Sequence, residues 1–431
     1  MHLIRHFFFA LALASAVLHA AAQAPAWSGT WGAAPAGPPP AARLLAFTDQ
    51  TLRLVVHTSN GGNRVRIRLS NEMGSTPLRI GAAHIGVRAS GVVVAAGTDR
   101  ALTFGGARTI TIAAGARAVS DGVALNVPAL ADVTVSLFLP GASAATTIHE
   151  SAFQTGYVST PGDFTASPAL PVKATIGAWP FLAGVDLDLA APVVVAFGDS
   201  ITDGLKSTPN ANRRWPDYLA LRLQSLGATG RVGVVNRGIS ANQLLTTEPT
   251  GLLAGRAGLE RYDRDVLSTP GVRAVIVLIG INDISYHSAS AARLIDGYRQ
   301  LIARGHARGI RVYGATLLPF ESSPYYTAPR DAIRQSVNSW IRSGAAFDGI
   351  IDFDAALRDP ARPARLLAAW DSGDHLHPND AGYQRMASQV PLGFVTAAVA
   401  QPDAALGDGG TLQQFQQVQQ VQQERAPALV D

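Results

Sequence analysis

The sequence predicts two folded regions in tandem, an all-β sandwich followed by an α/β domain built on a parallel sheet. Two observations carry that expectation. Between about residues 27 and 185, apolar residues recur at every second position between glycine-rich turns. From Pro192 onward the rhythm changes, and short apolar runs alternate with stretches of helical spacing. A chain of 431 residues is long enough for two such cores.

In the first region, Val65, Ile67 and Leu69 alternate with Arg64, Arg66 and Arg68, giving one apolar and one charged face. Asn60-Gly61-Gly62-Asn63 separates this run from 52–57, so the two are expected to form a hairpin. Runs 109–112 and 133–139 read as further strands. Short strands and Gly-rich turns together suit a β-sandwich, jelly-roll-like in type. In the second region the expected strands are 193–197, 232–236, 272–279, 310–317 and 350–353. Helical stretches at 217–225 and 291–303 lie between them, and in the latter Leu294, Tyr298 and Leu301 share one face. Such alternation implies a parallel sheet covered on both sides.

The ends differ from the middle. His2, Arg5 and His6 flank an apolar stretch at 7–18, and the small residues Ala20-Ala21-Ala22 follow. Residues 1–22 therefore read as a secretory signal cleaved after Ala22, too short to span a bilayer. No later segment reaches a spanning length without charges. Export to the periplasm or the medium is the expectation. With no cysteine, the chain must fold by core burial without disulfides. From residue 401 a Gln-rich tail begins, with Phe415, Val418 and Val421 every third residue; disorder and no catalytic role are expected there. The net charge of +4 is small, and no basic block interleaves with aromatics, which excludes nucleic acid as a partner.

Residues 193–204 read VVVAFGDSITDG. Five apolar residues run into Gly198-Asp199-Ser200, a turn that leaves a serine at the carboxyl end of a strand, where ligands bind in open α/β sheets. Asn236-Arg237-Gly238 follows, then Gly280-Ile281-Asn282-Asp283 after another apolar run, then Asp374-His375-Leu376-His377-Pro378. A serine hydroxyl needs a base, and the base needs an orienting group. His377 and Asp374 can supply both from one turn, while Gly238 and Asn282 can donate to a developing oxyanion. Each residue also has a plainer reading: Ser200 as a helix cap, Gly238 and Asn282 as turn residues, His377 as a surface histidine. His375 and His377 with Asp374 or Asp371 also stand as a short metal-ligand cluster. The G-x-S-x-G elbow of the α/β-hydrolases is absent.

These four blocks, spread over roughly residues 190–398, resemble those of the SGNH hydrolases, the GDSL family of esterases and lipases. The resemblance makes Ser200 the nucleophile and an oxyanion donor, Gly238 and Asn282 the other donors, His377 the base and Asp374 its orienter. It implies a flavodoxin-like three-layer domain with a five-stranded parallel sheet at 190–398, after a sandwich at 27–185. It calls for no metal and no cofactor. Trp215, Tyr286 and His287 follow catalytic blocks and are expected to line the substrate pocket. The two-domain layout also resembles the xylan-associated arylesterase branch. The expected activity is hydrolysis of short acyl or acetyl esters, with acylated polysaccharide as a substrate. The alternatives are a lipase or lysophospholipase with the same triad, or a carbohydrate-binding protein with a vestigial hydrolase domain.

Overall fold

The computed structural model describes residues 26–247, 254–344 and 346–396. The expected signal and the Gln-rich tail lie outside the described residues. Two large antiparallel sheets dominate the N-terminal region, beside the two-stranded pairs Leu78–Ile80 with Ile110–Ile112 and Ile148–His149 with Trp179–Pro180. In the first, Trp27–Gly32, Leu182–Asp188, Gly62–Ser70 and Val123–Val127 pair in that order, with Arg117–Val119 also on Gly62–Ser70. In the second, Val172–Ile176, Gly156–Pro161, Ala46–His57, Asp132–Ala144, Ala82–Ser90 and Val93–Val94 follow one another, with Arg100–Ala101 also on Ala82–Ser90. Val65, Ile67 and Leu69 from one sheet and Leu52, Leu54, Val133 and Val135 from the other share a single apolar core.

The expected hairpin about Asn60 does not form. Ala46–His57 is already flanked on both edges within the second sheet, while Gly62–Ser70 lies in the first. Residues 58–61 therefore cross between the sheets. Thr30 anchors the crossing: its hydroxyl donates to the Asn60 carbonyl at 2.9 Å, and its own carbonyl accepts from the Ser59 hydroxyl at 2.7 Å.

Five parallel strands make the C-terminal sheet, ordered Gly233–Gly238, Val193–Gly198, Val272–Leu278, Arg311–Ala315 and Gly349–Ile351. In chain order this is 2-1-3-4-5, the flavodoxin-like arrangement whose direction reverses beside the first strand. Every residue of Val193–Gly198 is buried, as an apolar run in a central parallel strand must be. Helices Trp215–Gln224 and Asp380–Gln389 pack together, as do Ala291–His306 and Ala328–Ser343. Right-handed crossovers place these two pairs on opposite faces of the sheet. No helix among the described residues is long and apolar enough to cross a membrane.

The first N-terminal sheet lies directly on the edge of the parallel one. Trp27–Gly32 packs along Gly233–Gly238, and the Gly29 N–H donates to the Pro270 carbonyl at 2.9 Å. The Val234 N–H donates to the Ser59 hydroxyl at 2.9 Å, so an otherwise open sheet edge is occupied. Glycine is needed at Gly32, where a Cβ would stand 2.9 Å from the Arg237 guanidinium.

Candidate active site

At the end of the first parallel strand the chain turns through Gly198 and Asp199 into the short helix Ser200–Asp203. Gly198 has no room for a side chain: a Cβ would lie 2.2 Å from the Thr202 hydroxyl and 2.5 Å from the Leu278 carbonyl. The Asp199 carboxylate accepts from the Ile201 N–H at 3.1 Å and caps the turn. Ser200 thus sits, 5 % exposed, at the carboxyl edge of the sheet.

The last block arrives from the other end of the chain. His377 Nε2 lies 2.8 Å from Ser200 Oγ, and His377 Nδ1 lies 2.8 Å from Asp374 Oδ2. The other Asp374 oxygen accepts from the backbone N–H groups of Leu376 and His377, at 3.0 and 2.8 Å. Burial opposes ionisation of Asp374, but the bonds from His377 and the backbone outweigh it and hold the carboxyl well below the usual range. His375, with φ of 62°, turns away and pairs with Asp371 at 2.6 Å. Each imidazole of this run is therefore committed to its own carboxylate. Among the described residues no group of three His, Cys, Asp or Glu side chains is arranged to hold a metal ion. Tyr383, from the following helix, donates to the Leu205 carbonyl at 2.6 Å and locks this loop to the serine turn.

Two loops close the site. Gly280, at φ of 132°, lets the third strand break into helix Ile281–His287, which presents Asn282 in its first turn. The Asn282 amide donates one N–H to the Asn242 carbonyl at 2.9 Å, leaving its second N–H for a ligand. Asp283 accepts from the N–H groups of Leu244 and Leu245 at 2.8 and 2.9 Å, binding the two loops together.

The loop after the second strand corrects one expectation. The Gly238 N–H is not free, because it donates to the Asn236 side-chain oxygen at 2.8 Å. Gly238 serves close packing instead: a Cβ there would lie 2.2 Å from the Asp203 nitrogen. Three residues on, Ala241 adopts φ of 62°, and its N–H makes no hydrogen bond to any described residue. Ser200 N–H is likewise unengaged. Glycine is the usual occupant of left-handed backbone. Here the chain puts that conformation on an alanine.

Trp215 is a second correction. It is fully buried at the start of its helix, tilted against Phe353 with ring centres 5.8 Å apart, and is a core residue rather than a pocket wall. Tyr286 is half-buried and stands perpendicular to Tyr325, at 5.5 Å, while His287 is exposed. Both lie at the far end of the helix that presents Asn282.

Arg261 is a site residue with no sequence signal, because it lies in no motif. Fully buried, it donates to the carbonyls of Gly198 and Arg237 and to the Asn242 side chain, at 2.8, 2.8 and 2.9 Å, and pairs with Asp265. One guanidinium thereby fixes the backbones from which the Ser200 and Gly238 blocks depart, and holds Asn242, whose carbonyl accepts from Asn282.

Residues 196–385 match the family model of the GDSL-like lipase/acylhydrolase family. No curated protein matches the chain. Similar solved structures include the native aryl esterase of M. smegmatis, at 17% identity and a TM-score of 0.37, covering 49% of this chain and 99% of that one. A GDSL-like lipase from Bacteroides thetaiotaomicron is 20% identical with a TM-score of 0.36, over 48% of this chain and 88% of that one. A carbohydrate acetylesterase from Sinorhizobium meliloti is 16% identical with a TM-score of 0.36, over 48% and 98%. Residues 196–385 are a GDSL-like lipase/acylhydrolase domain, and the protein is a carboxylic ester hydrolase.

Proposed function

We propose that the protein hydrolyses short acyl or acetyl esters through Ser200, His377 and Asp374, by way of an acyl-enzyme. The observation that carries this reading is the continuous relay from Ser200 Oγ through both nitrogens of His377 to Asp374, each step 2.8 Å. His377 takes the Ser200 proton as the oxygen attacks the ester carbonyl, and Asp374 holds the resulting imidazolium. The N–H groups of Ser200 and Ala241 and the Asn282 amide receive the negative oxygen. His377 then protonates the leaving alcohol and takes a proton from the water that attacks the acyl-enzyme, and it returns that proton to Ser200 Oγ as the acyl–oxygen bond breaks and the carboxylic acid leaves.

Short chains suit the surface. The large exposed apolar side chains among the described residues are Val93, Val119, Val172, Leu221 and Leu226, none of them in the site loops. An interfacial lipase needs an apolar landing face near its serine. The leader-like sequence at 1–22 supports an exported enzyme, and acylated polysaccharide outside the cell is the substrate class that suits export together with the two-domain layout. Nitrophenyl esters from acetate to palmitate, given to wild type and Ser200→Ala, test the reading. Activity is expected on the short esters and should fall about 10⁴- to 10⁶-fold in the variant. Near-normal turnover by Ser200→Ala would remove the serine from its role, and a maximum on palmitate would redirect the assignment to lipid.

A further inference from the structure

The seam between the two regions holds a cavity of about 220 Å³ whose wall is electrically unbalanced. Arg66, Arg68, Arg117, Arg237 and Arg264 line it, with Glu72 and Asp265. Arg66 and Arg68 share one carboxylate, Asp186, each at 3.0 Å. Arg264 shares Asp265 with Arg261, at 2.7 and 2.9 Å. Arg117 reaches Glu72 only at 3.7 Å. Arg237 has no carboxylate within ion-pair distance among the described residues, and its bonds go to the neutral carbonyls of Ala33 and Ala183. Six guanidinium groups in this cluster thus face three carboxylates.

Two donors in the wall are also unmet. Arg237 Nε and Arg68 Nη2 are buried and have no acceptor. Arg237 as a residue is only 2 % exposed. A buried cationic donor without a partner is costly, and a neutral water would answer the hydrogen bond but not the charge. Burial and the neighbouring Arg68 pull the Arg237 guanidinium down to about 9, the mark of an uncompensated positive site.

We propose that this cavity binds a small polyatomic oxyanion, a carboxylate, sulfate or phosphate, held by Arg68 and Arg237 with Arg117 at the rim. Planar guanidinium groups match such oxygens in pairs, which a halide cannot reproduce. The site lies apart from Ser200 but touches its support. Arg237 directly precedes Gly238, and its carbonyl is held by the same Arg261 that holds Gly198. An anion in the cavity would tighten both the seam and the strand that feeds the Ala241 loop.

Thermal unfolding of the full chain against phosphate, sulfate or acetate, with ionic strength held constant by sodium chloride, tests the proposal. Wild type should show a saturable rise in Tm, about 2 °C at ten times the half-saturating concentration. Arg117→Gln, half-exposed at the rim and safe for folding, should raise the half-saturating concentration at least about fivefold, as expected from losing one charge-assisted contact. Arg68→Gln should abolish saturation. The three anions separate a carboxylate site from a sulfate or phosphate site. A rise that is linear in concentration and equal in wild type and Arg117→Gln would be general solute exclusion, and would overturn the site in favour of a water-filled seam.

Discussion

His149, from the N-terminal sheets, lies 3.0 Å from Asp203, one turn beyond Ser200, and ties one domain to the serine turn of the other. The opposite ring nitrogen faces the Ala34 carbonyl at 3.0 Å, so both nitrogens must carry protons. Burial works against the charged ring, but Asp203 and the Ala34 carbonyl outweigh it and raise the pKa. The second Asp203 oxygen accepts from the Ser240 N–H and hydroxyl, at 2.9 and 2.7 Å, next to Ala241. The N-terminal region therefore positions the loop that closes the site.

Replacing His149 by Gln should cost about 3 kcal/mol at pH 6, because it leaves a buried carboxylate without its counter-charge. Turnover of short esters should fall about tenfold through loosening of the Ser240–Ala241 loop, with KM little changed. The sign of the pH dependence follows from the raised pKa. The contribution is complete below the ordinary histidine value near 6.5 and fades as pH climbs through the folded value. Urea unfolding of wild type and variant at pH 6 and pH 9 checks this: the gap should narrow at the higher pH, and equal stability at pH 6 would refute the pairing.

Much of this was legible in the chain. Ser200, Asn282, Asp374 and His377 each follow an element of clear periodicity, so their shared edge could be read from strand order alone. The seam could not be read. The period of two marks Val65, Ile67 and Leu69 as inward-facing, but it is silent on which strand lies beside them, and the expected hairpin at Asn60 was lost for that reason. Trp215 shows a related limit, since an aromatic that opens a helix fits a core as well as a pocket. His149 and Asp203 are 54 positions apart, one on a strand of the N-terminal region and the other in the short helix after Ser200, and nothing local in either segment signals their contact.

Ala241→Gly should stabilise the protein by about 1 kcal/mol, because an L side chain at φ of 62° carries steric cost that glycine lacks. The N–H is retained, so ester turnover should stay within about twofold of wild type. Chemical unfolding alongside nitrophenyl acetate kinetics decides. Destabilisation would mean that the Ala241 methyl makes packing contacts worth more than the strain.

Asp374→Asn should leave the fold in place and lower kcat by about 10²- to 10⁴-fold. An amide placed to keep the bonds from Leu376 and His377 N–H presents its NH₂ to His377 Nδ1. That arrangement favours the tautomer with its proton on Nε2, which cannot accept from Ser200. Circular dichroism should match wild type, and unaltered kcat would leave Asp374 without an orienting role.

Asp199 gives the prediction whose sign is least intuitive. Burial raises its carboxyl to about 7, the neighbouring Asp283 adds to the rise, and the bond from Ile201 N–H only partly opposes it. Its second oxygen is buried without a partner. An acid raised in the folded state holds its proton there while the unfolded chain, near 3.9, has released it. Stability from this group is thus lost as pH rises from about 4 to about 7, and changes no further above that. Asp199→Asn keeps the oxygen that caps Ile201 and removes the charge. Its stability relative to wild type should climb across this window, on the order of 4 kcal/mol by pH 7.5. Urea unfolding at pH 4.5, 6 and 7.5 measures the climb. A difference that stays flat with pH would mean that Asp199 remains ionised throughout, with a counter-charge or water meeting its second oxygen.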